Sequence, residues 1–279
     1  MSSPRPKVVL FDIGGVCVIS PFRAILDYEI ANGIPPGWVN HSISASSPNG
    51  SWQRLERGEV PLDSTFFSAF QRDLSNESRW RSFYAAHLAK SRNEKGSDAA
   101  EEAAFQAPPV PHIDAEWLYW EMMRISRAPD PYMYPALKKL RKEADRQGFI
   151  VAALSNTSIF PEGHEFNDPT TPEGKIHAEL RSQFDLFISS AHVGMRKPDK
   201  VIYDHTVREL DKLAKKRGDG QGIKAGDIVF LDDIGANLKA AKQAGMRTIK
   251  VVLERTDRAV RELENVMGLS LVDTDKAKL

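Results

Sequence analysis

Only one cysteine, Cys17, stands in 279 residues, so no internal disulfide framework can form and a reducing compartment is expected. Cys17 lies one residue past a pair of glycines and reads as a small buried filler rather than a reactive thiol. An excess of one charge is also missing, since 38 Lys and Arg balance 38 Asp and Glu. Without a basic excess the chain is expected to bind neither nucleic acid nor a membrane surface. No apolar run reaches the length of a membrane span, and no secretory leader pattern opens the chain. The expectation is a soluble intracellular protein. The length allows a large buried core, as one big domain or as a core with a smaller companion.

What is present begins with the run Val8-Val9-Leu10-Phe11-Asp12-Ile13-Gly14-Gly15-Val16. A short stretch of β-formers closed by two glycines predicts a fully buried strand ending in a tight loop. In an open α/β sheet the ligand crevice lies outside the carboxyl ends of the strands, which is where Asp12 falls. Asp also caps turns, so this run alone leaves both roles open for Asp12.

From about Ser20 to Asp130 no second strand of that quality follows. Phe22 to Tyr28, Phe66 to Phe70 and Trp117 to Met123 have helical spacing, with Ser/Pro/Gly-rich stretches such as Ser42 to Ser51 between them. Residues 90–111, polar or Ala/Pro-rich, are expected to form a flexible connector. Trp38, Trp52, Phe66, Phe67, Trp117 and Trp120 are expected to form the core of this helical insert. The α/β pattern returns with a helix over Pro135 to Gln147 and strands over Phe149–Leu154, Phe184–Ile188, Asp227–Leu231 and Thr248–Val252. Phe160 to Lys175 reads as a surface insertion. Strands alternating with helices predict a doubly wound parallel sheet. The division expected is a core of residues 1–19 and 131–279, with residues 20–130 as a helical domain inserted after the first strand.

Each strand end carries polar residues: Asp12, then Ser155-Asn156, then Lys197 in a following loop, then Asp232-Asp233. The switch-point rule brings these ends to one crevice. Two or three carboxylates suit Mg²⁺, which takes carboxylates together with substrate phosphate oxygens. A Lys charge and a hydroxyl or amide suit phosphoryl oxygens, and an Asp can attack phosphorus itself. Singly, each feature has a plainer explanation: Ser155-Asn156 and Asp232-Asp233 as helix caps, Lys197 as a solvated loop lysine. Together and in this order they favour metal-assisted phosphoryl transfer.

The runs Phe11-Asp12-Ile13-Gly14-Gly15-Val16, Leu154-Ser155-Asn156-Thr157, Val193-Gly194-Met195-Arg196-Lys197-Pro198 and Val229 to Lys239, the last followed by Ala244-Gly245-Met246, resemble the haloacid dehalogenase (HAD) superfamily. The resemblance is strongest to the N-terminal phosphatase domains of soluble epoxide hydrolases. It covers the α/β core well and the insert in position and kind, and no epoxide-hydrolase domain is expected to follow. It implies a Mg²⁺-dependent hydrolase with Asp12 as nucleophile and metal ligand, and with the Gly14 carbonyl and Asp233 also on the metal. Asp232 lies close behind and Asn237 supports that loop. Ser155 and Asn156, with Gly15 in the adjoining loop, would hold the phosphoryl group of a small-molecule substrate, and Lys197 would balance its charge. The insert would be a cap that selects the substrate.

One position departs from the pattern. The family's phosphatases usually carry an Asp two residues after the nucleophile, as general acid/base, and here that residue is Gly14. Some members with Gly there look like sugar-1-phosphate phosphatases, whose good leaving group needs less protonation. Three readings therefore stand: a Mg²⁺-dependent phosphatase, a catalytically weak phosphate-binding or regulatory protein, and a metal-independent dehalogenase. The last three residues, Ala277-Lys278-Leu279, resemble a peroxisomal address read by an import receptor, so the expected location is cytoplasmic or peroxisomal.

Overall fold

A computed structural model describes residues 4–92, 107–218 and 220–272. Five parallel strands form one sheet: β1 (Val8–Phe11), β2 (Ile150–Ser155), β3 (Leu186–Ser189), β4 (Ile228–Asp232) and β5 (Arg247–Lys250), in the order β3-β2-β1-β4-β5. β1 is central, and every residue of β1, β2 and β4 is buried. A parallel strand covered on both faces reads as a continuous apolar run, which is why these strands stand out in the sequence. Successive side chains alternate between the faces. Val9, Phe11, Val151, Val229 and Leu231 join one apolar cluster, and Val8, Leu10, Ile150, Ala152 and Phe230 join the other.

The described residues divide into two compact units. The first comprises residues Met1–Ser20, Glu56–Gly58 and Ser126–Leu279, and the second comprises Pro21–Leu55 and Glu59–Ile125. The second unit is helical: α1 (Phe22–Ala31), α2 (Trp38–Ala45), most of α3 (Ser51–Glu56), α4 (Ser64–Leu74), α5 (Glu77–Arg92) and α6 (Ala115–Ile125). Trp38, Phe66 and Phe67 are buried in it, but Trp117 is 52% exposed and packs at a tilt against Tyr28, with ring centroids 5.5 Å apart. On α6 the buried positions are Ala115, Leu118, Tyr119 and Met122, a helical stripe that leaves residue 117 on the outer face. Residues 90–92 continue α5 rather than opening a connector; 93–106, like the C-terminal tripeptide Ala277–Leu279, lie outside the described residues.

In the first unit, helices cover the two faces of the sheet. α7 (Met133–Gln147) sets Leu137, Leu140 and Ala144 on one face and stops at Gly148, whose φ of 78° suits glycine. α12 (Thr256–Met267) adds Val260, Leu263 and Met267 to that face. α10 (Lys200–Lys216) and α11 (Gly235–Gln243) cover the other with Tyr203, Leu210, Leu238 and Ala241. α8 (Pro172–Ser182) starts inside the stretch Phe160–Lys175 that reads as a surface insertion. Thr171 Oγ1 accepts the Gly174 N–H (3.0 Å) and Pro172 stands in the first turn, a capping arrangement that outweighs weak apolar periodicity. A single turn, α9 (Ser190–Val193), follows β3. Among the described residues no helix is long and apolar enough to cross a membrane.

Candidate active site

Pairing of Phe11 with Leu231 on one side and Ala153 on the other carries the chain out of the sheet with Asp12 level with Asp232. The Asp12 N–H donates to the Leu231 carbonyl (2.9 Å). Strand register alone thus brings two carboxylates from distant parts of the chain together. Beyond β1 the chain turns sharply: Gly15 has φ 76°, and a Cβ there would lie 2.6 Å from Asp233 Oδ2. Glycine is required both for the backbone angle and for the space.

Lys197 is inserted among these groups. It is fully buried, and its Nζ lies 2.8 Å from Asp12 Oδ1 and 2.8 Å from Asp232 Oδ2. Its ammonium also sits 5.3 Å from the centre of the Phe230 ring, a cation–π contact. Asp12 Oδ1 additionally accepts the Ile13 N–H at 2.7 Å. Asp232 is saturated: it accepts from Lys197, from Asn237 Nδ2 on both oxygens (3.1 Å) and from the Ile234 N–H (2.8 Å). Asn237 is itself tied down, because Tyr203 donates its hydroxyl to the Asn237 carbonyl (2.9 Å).

Asp233 differs from its neighbour. Its Oδ1 is buried and has no hydrogen-bond partner. A buried carboxylate oxygen without a donor is costly, so the arrangement has the form of a ligand site. One oxygen each from Asp12, Asp232 and Asp233 lies within 4.8 Å of the others, a spacing that lets them share a metal ion. Three carboxylates face one ammonium. Burial pushes Asp12 up to about 8; Lys197 pulls against this, and the Asp232 and Asp233 carboxylates add to it. Burial likewise pushes Asp233 up to about 6, with the Asp232 charge adding and Lys197 opposing. Burial alone would lower Lys197, but Asp12 and Asp232 outweigh it and hold the ammonium above its usual value. The cluster is short of positive charge, and a hard divalent cation fits both that deficit and the all-oxygen donor set.

The remaining sequence-predicted residues divide. Ser155, buried at the end of β2, makes one long bond (3.4 Å) from its hydroxyl to the Asn156 carbonyl. Asn156 does not present its amide to the crevice. Its Oδ1 accepts the Lys197 N–H (2.8 Å) and its Nδ2 donates to the Lys197 carbonyl (3.0 Å), so it clamps the backbone of Lys197. Gly14 is half-buried, bridges to Val18 and has no side chain to act as an acid. Cys17 is a buried filler: its thiol donates to the Asp12 carbonyl (3.4 Å), and burial, reinforced by Asp12 and Asp130, holds its pKa well above the ordinary thiol value. Glu56, Tyr203 and Phe230 complete the surroundings and escaped sequence reasoning. Tyr203 and Phe230 look like ordinary core residues, and nothing beside Glu56 marks it.

A family model described as haloacid dehalogenase-like hydrolase matches residues 6–245. The chain belongs to that family. Among its relatives is bifunctional epoxide hydrolase 2 of Sus scrofa, 27% identical in an alignment 274 residues long that covers 96% of this chain and 40% of that protein. Sesquiterpene phosphatase astK of Aspergillus oryzae is 30% identical over 142 residues, 50% of this chain and 58% of that one. The chain thus spans less than two thirds of the length of either relative. A dehalogenase crystal structure with an intermediate complex shares the fold, with a TM-score of 0.51 at 15% identity, covering 96% of this chain and all (100%) of that one. As a member of this family, the chain is a HAD-like hydrolase.

Proposed function

We propose that this HAD-like hydrolase is a Mg²⁺-dependent phosphatase acting on a small phosphomonoester through an aspartyl-phosphate on Asp12. The observation that carries the reading is the buried, partnerless Oδ1 of Asp233 beside two further carboxylates that share one ammonium. Asp12, Asp233 and the Gly14 carbonyl would hold the cation, with Asp232 behind them fixing Lys197 and Asn237. When bound, the cation supplies charge neutralisation and polarises a phosphoryl oxygen. Metal-independent dehalogenation would use Asp12 as nucleophile but gives the partnerless Asp233 oxygen no role.

The chain's own residues supply the rest. The Asp12 carboxylate attacks phosphorus as the bond to the leaving oxygen breaks, and water then attacks phosphorus to release phosphate and restore the carboxylate. Lys197 balances charge on Asp12 and on the phosphoryl oxygens, and the Ser155 hydroxyl donates to one of them. No side chain at position 14 protonates the leaving oxygen, so that proton comes from water or from the substrate. A missing general acid typically costs about 10²–10⁴-fold, and the penalty is smallest for leaving groups of low pKa. The favoured substrates are therefore esters of acidic alcohols, of which an anomeric phosphate is one.

The deciding measurement is phosphate release from an aryl phosphate, with and without Mg²⁺, by the protein and by Asp12→Asn. Mg²⁺-dependent release that Asp12→Asn abolishes is the expected result. No release, with Mg²⁺ and phosphate still bound, would identify a binding protein instead. Halide released from a haloacid without Mg²⁺ would establish a dehalogenase.

A further inference from the structure

Glu56, the last residue of α3, plays no part in the chemistry above, yet it touches the loops that build the site. Its side chain, 12% exposed, accepts Arg196 Nε at 2.6 Å, and its Oε2 also lies 3.4 Å from Asn156 Nδ2. Its backbone carbonyl accepts the Ser190 hydroxyl (2.6 Å), which in turn accepts the Thr157 N–H (2.8 Å). One residue therefore ties the loop after β2 to the loop after β3. Gly58, two residues on, seats this segment: with φ 66°, any Cβ there would come within 2.2 Å of the Ala191 carbonyl oxygen.

Two partners of the Glu56 carboxylate, Arg196 and Asn156, act on Lys197. Arg196 precedes it in the chain, and Asn156 holds its N–H and its carbonyl. An amide side chain offers a donor and an acceptor that exchange places when it turns over. An acidic acceptor at Glu56 favours the orientation in which Nδ2 faces Glu56 and Oδ1 is left for the Lys197 N–H. Lys is a point charge on a flexible stem, so an ammonium held 2.8 Å from two carboxylates requires its backbone to be fixed.

We propose that Glu56 is a positioning residue for Lys197, acting through Arg196 and Asn156 to set the ammonium between Asp12 and Asp232. The inference rests on Lys197 serving as the phosphoryl-facing cation of the proposed phosphatase, and its test separates the two. Removing one partner of a buried ion pair strands the other charge. Glu56→Gln is therefore compared with the double variant Glu56→Gln/Arg196→Gln, which removes both members of that ion pair. Hydrogen–deuterium exchange is followed at the Lys197 amide. Calorimetry measures binding of Mg²⁺ alone and then of inorganic phosphate with Mg²⁺ present.

In both variants the Lys197 amide is expected to exchange faster and phosphate affinity to fall by about tenfold or more, as for other groups that orient a site from behind. Affinity for Mg²⁺ alone should not fall, since its ligands are untouched. Unchanged exchange with unchanged phosphate affinity would overturn the proposal. So would a parallel loss of Mg²⁺ affinity, phosphate affinity and melting temperature, which is the mark of a purely structural ion pair. If the unaltered protein binds Mg²⁺ but no phosphate, the phosphatase reading fails and exchange at Lys197 decides the role of Glu56: faster exchange upholds it, unchanged exchange overturns it.

Discussion

Two adjacent aspartates at the end of β4 have opposite surroundings, and this contrast sets the chemistry of the site. Asp232 is surrounded by donors, whereas Asp233 keeps a buried oxygen without one. Gly15 makes room for Asp233, so a side chain at 15 should act on the metal site directly. Gly15→Ala places its Cβ 2.6 Å from Asp233 Oδ2, close enough to push that carboxylate aside, and forces Ala into the left-handed region, at about 1–2 kcal/mol. The expected outcome is a loss of Mg²⁺ affinity of roughly 10–100-fold, read by calorimetric titration beside a denaturation curve. Unchanged Mg²⁺ affinity would remove Asp233 from the proposed ligand set. The residues by themselves gave only an Asp-Asp pair at a strand end, and the family resemblance implied Asp233 as the metal ligand with Asp232 behind it. The physical reason for the contrast, donors from Asn237, Lys197 and Ile234 all directed at Asp232, is visible only in three dimensions.

At the level of elements, β1 carries the most. It is paired on both sides and covered on both faces, and its register with β4 is what sets Asp12 beside Asp232. Leu10 is fully buried in the cluster under α10 and α11. Leu10→Ala should cost about 2–5 kcal/mol, a large part of the 5–15 kcal/mol typical of a domain, and urea denaturation would read it. A cost near zero would mean that the strand is not the packed centre of the sheet. The strands were legible because burial on both faces writes an apolar run into the chain. α8 was not, because it starts from a capped Thr-Pro pair in a stretch rich in Pro and Gly whose apolar spacing is weak.

For the whole molecule, the shortage of positive charge becomes a dependence of stability on pH. Asp12 at about 8 and Asp233 at about 6 both lie above their ordinary value of 3.8. The folded metal-free protein therefore binds more protons than the unfolded chain between about pH 4 and 8. Stability from these groups is present at low pH and is lost as pH rises, by up to about 1.4 kcal/mol per pH unit for each proton. Thermal melts without metal should show this fall between pH 5 and 8. Added Mg²⁺ should raise the melting temperature more at pH 8 than at pH 5.5, because it binds the deprotonated form. A melting temperature independent of pH, or a Mg²⁺ effect larger at low pH, would contradict the charge account.

Local order along the chain was enough to specify the doubly wound sheet, the helical insert after β1 and the polar residues at the strand ends. Those features arise from neighbours a few residues apart: apolar runs, helical spacing, and an Asp or Ser placed directly after a strand. Tertiary structure alone assigned the partners. Lys197 meets Asp232 across 35 positions and Arg196 meets Glu56 across 140, and Asn156 turns out to hold a lysine backbone rather than face the crevice. Such pairings depend on where the register and the loops bring the chain back upon itself. No run of adjacent residues records that distance, so a carboxylate like Glu56 carries no local mark of its place.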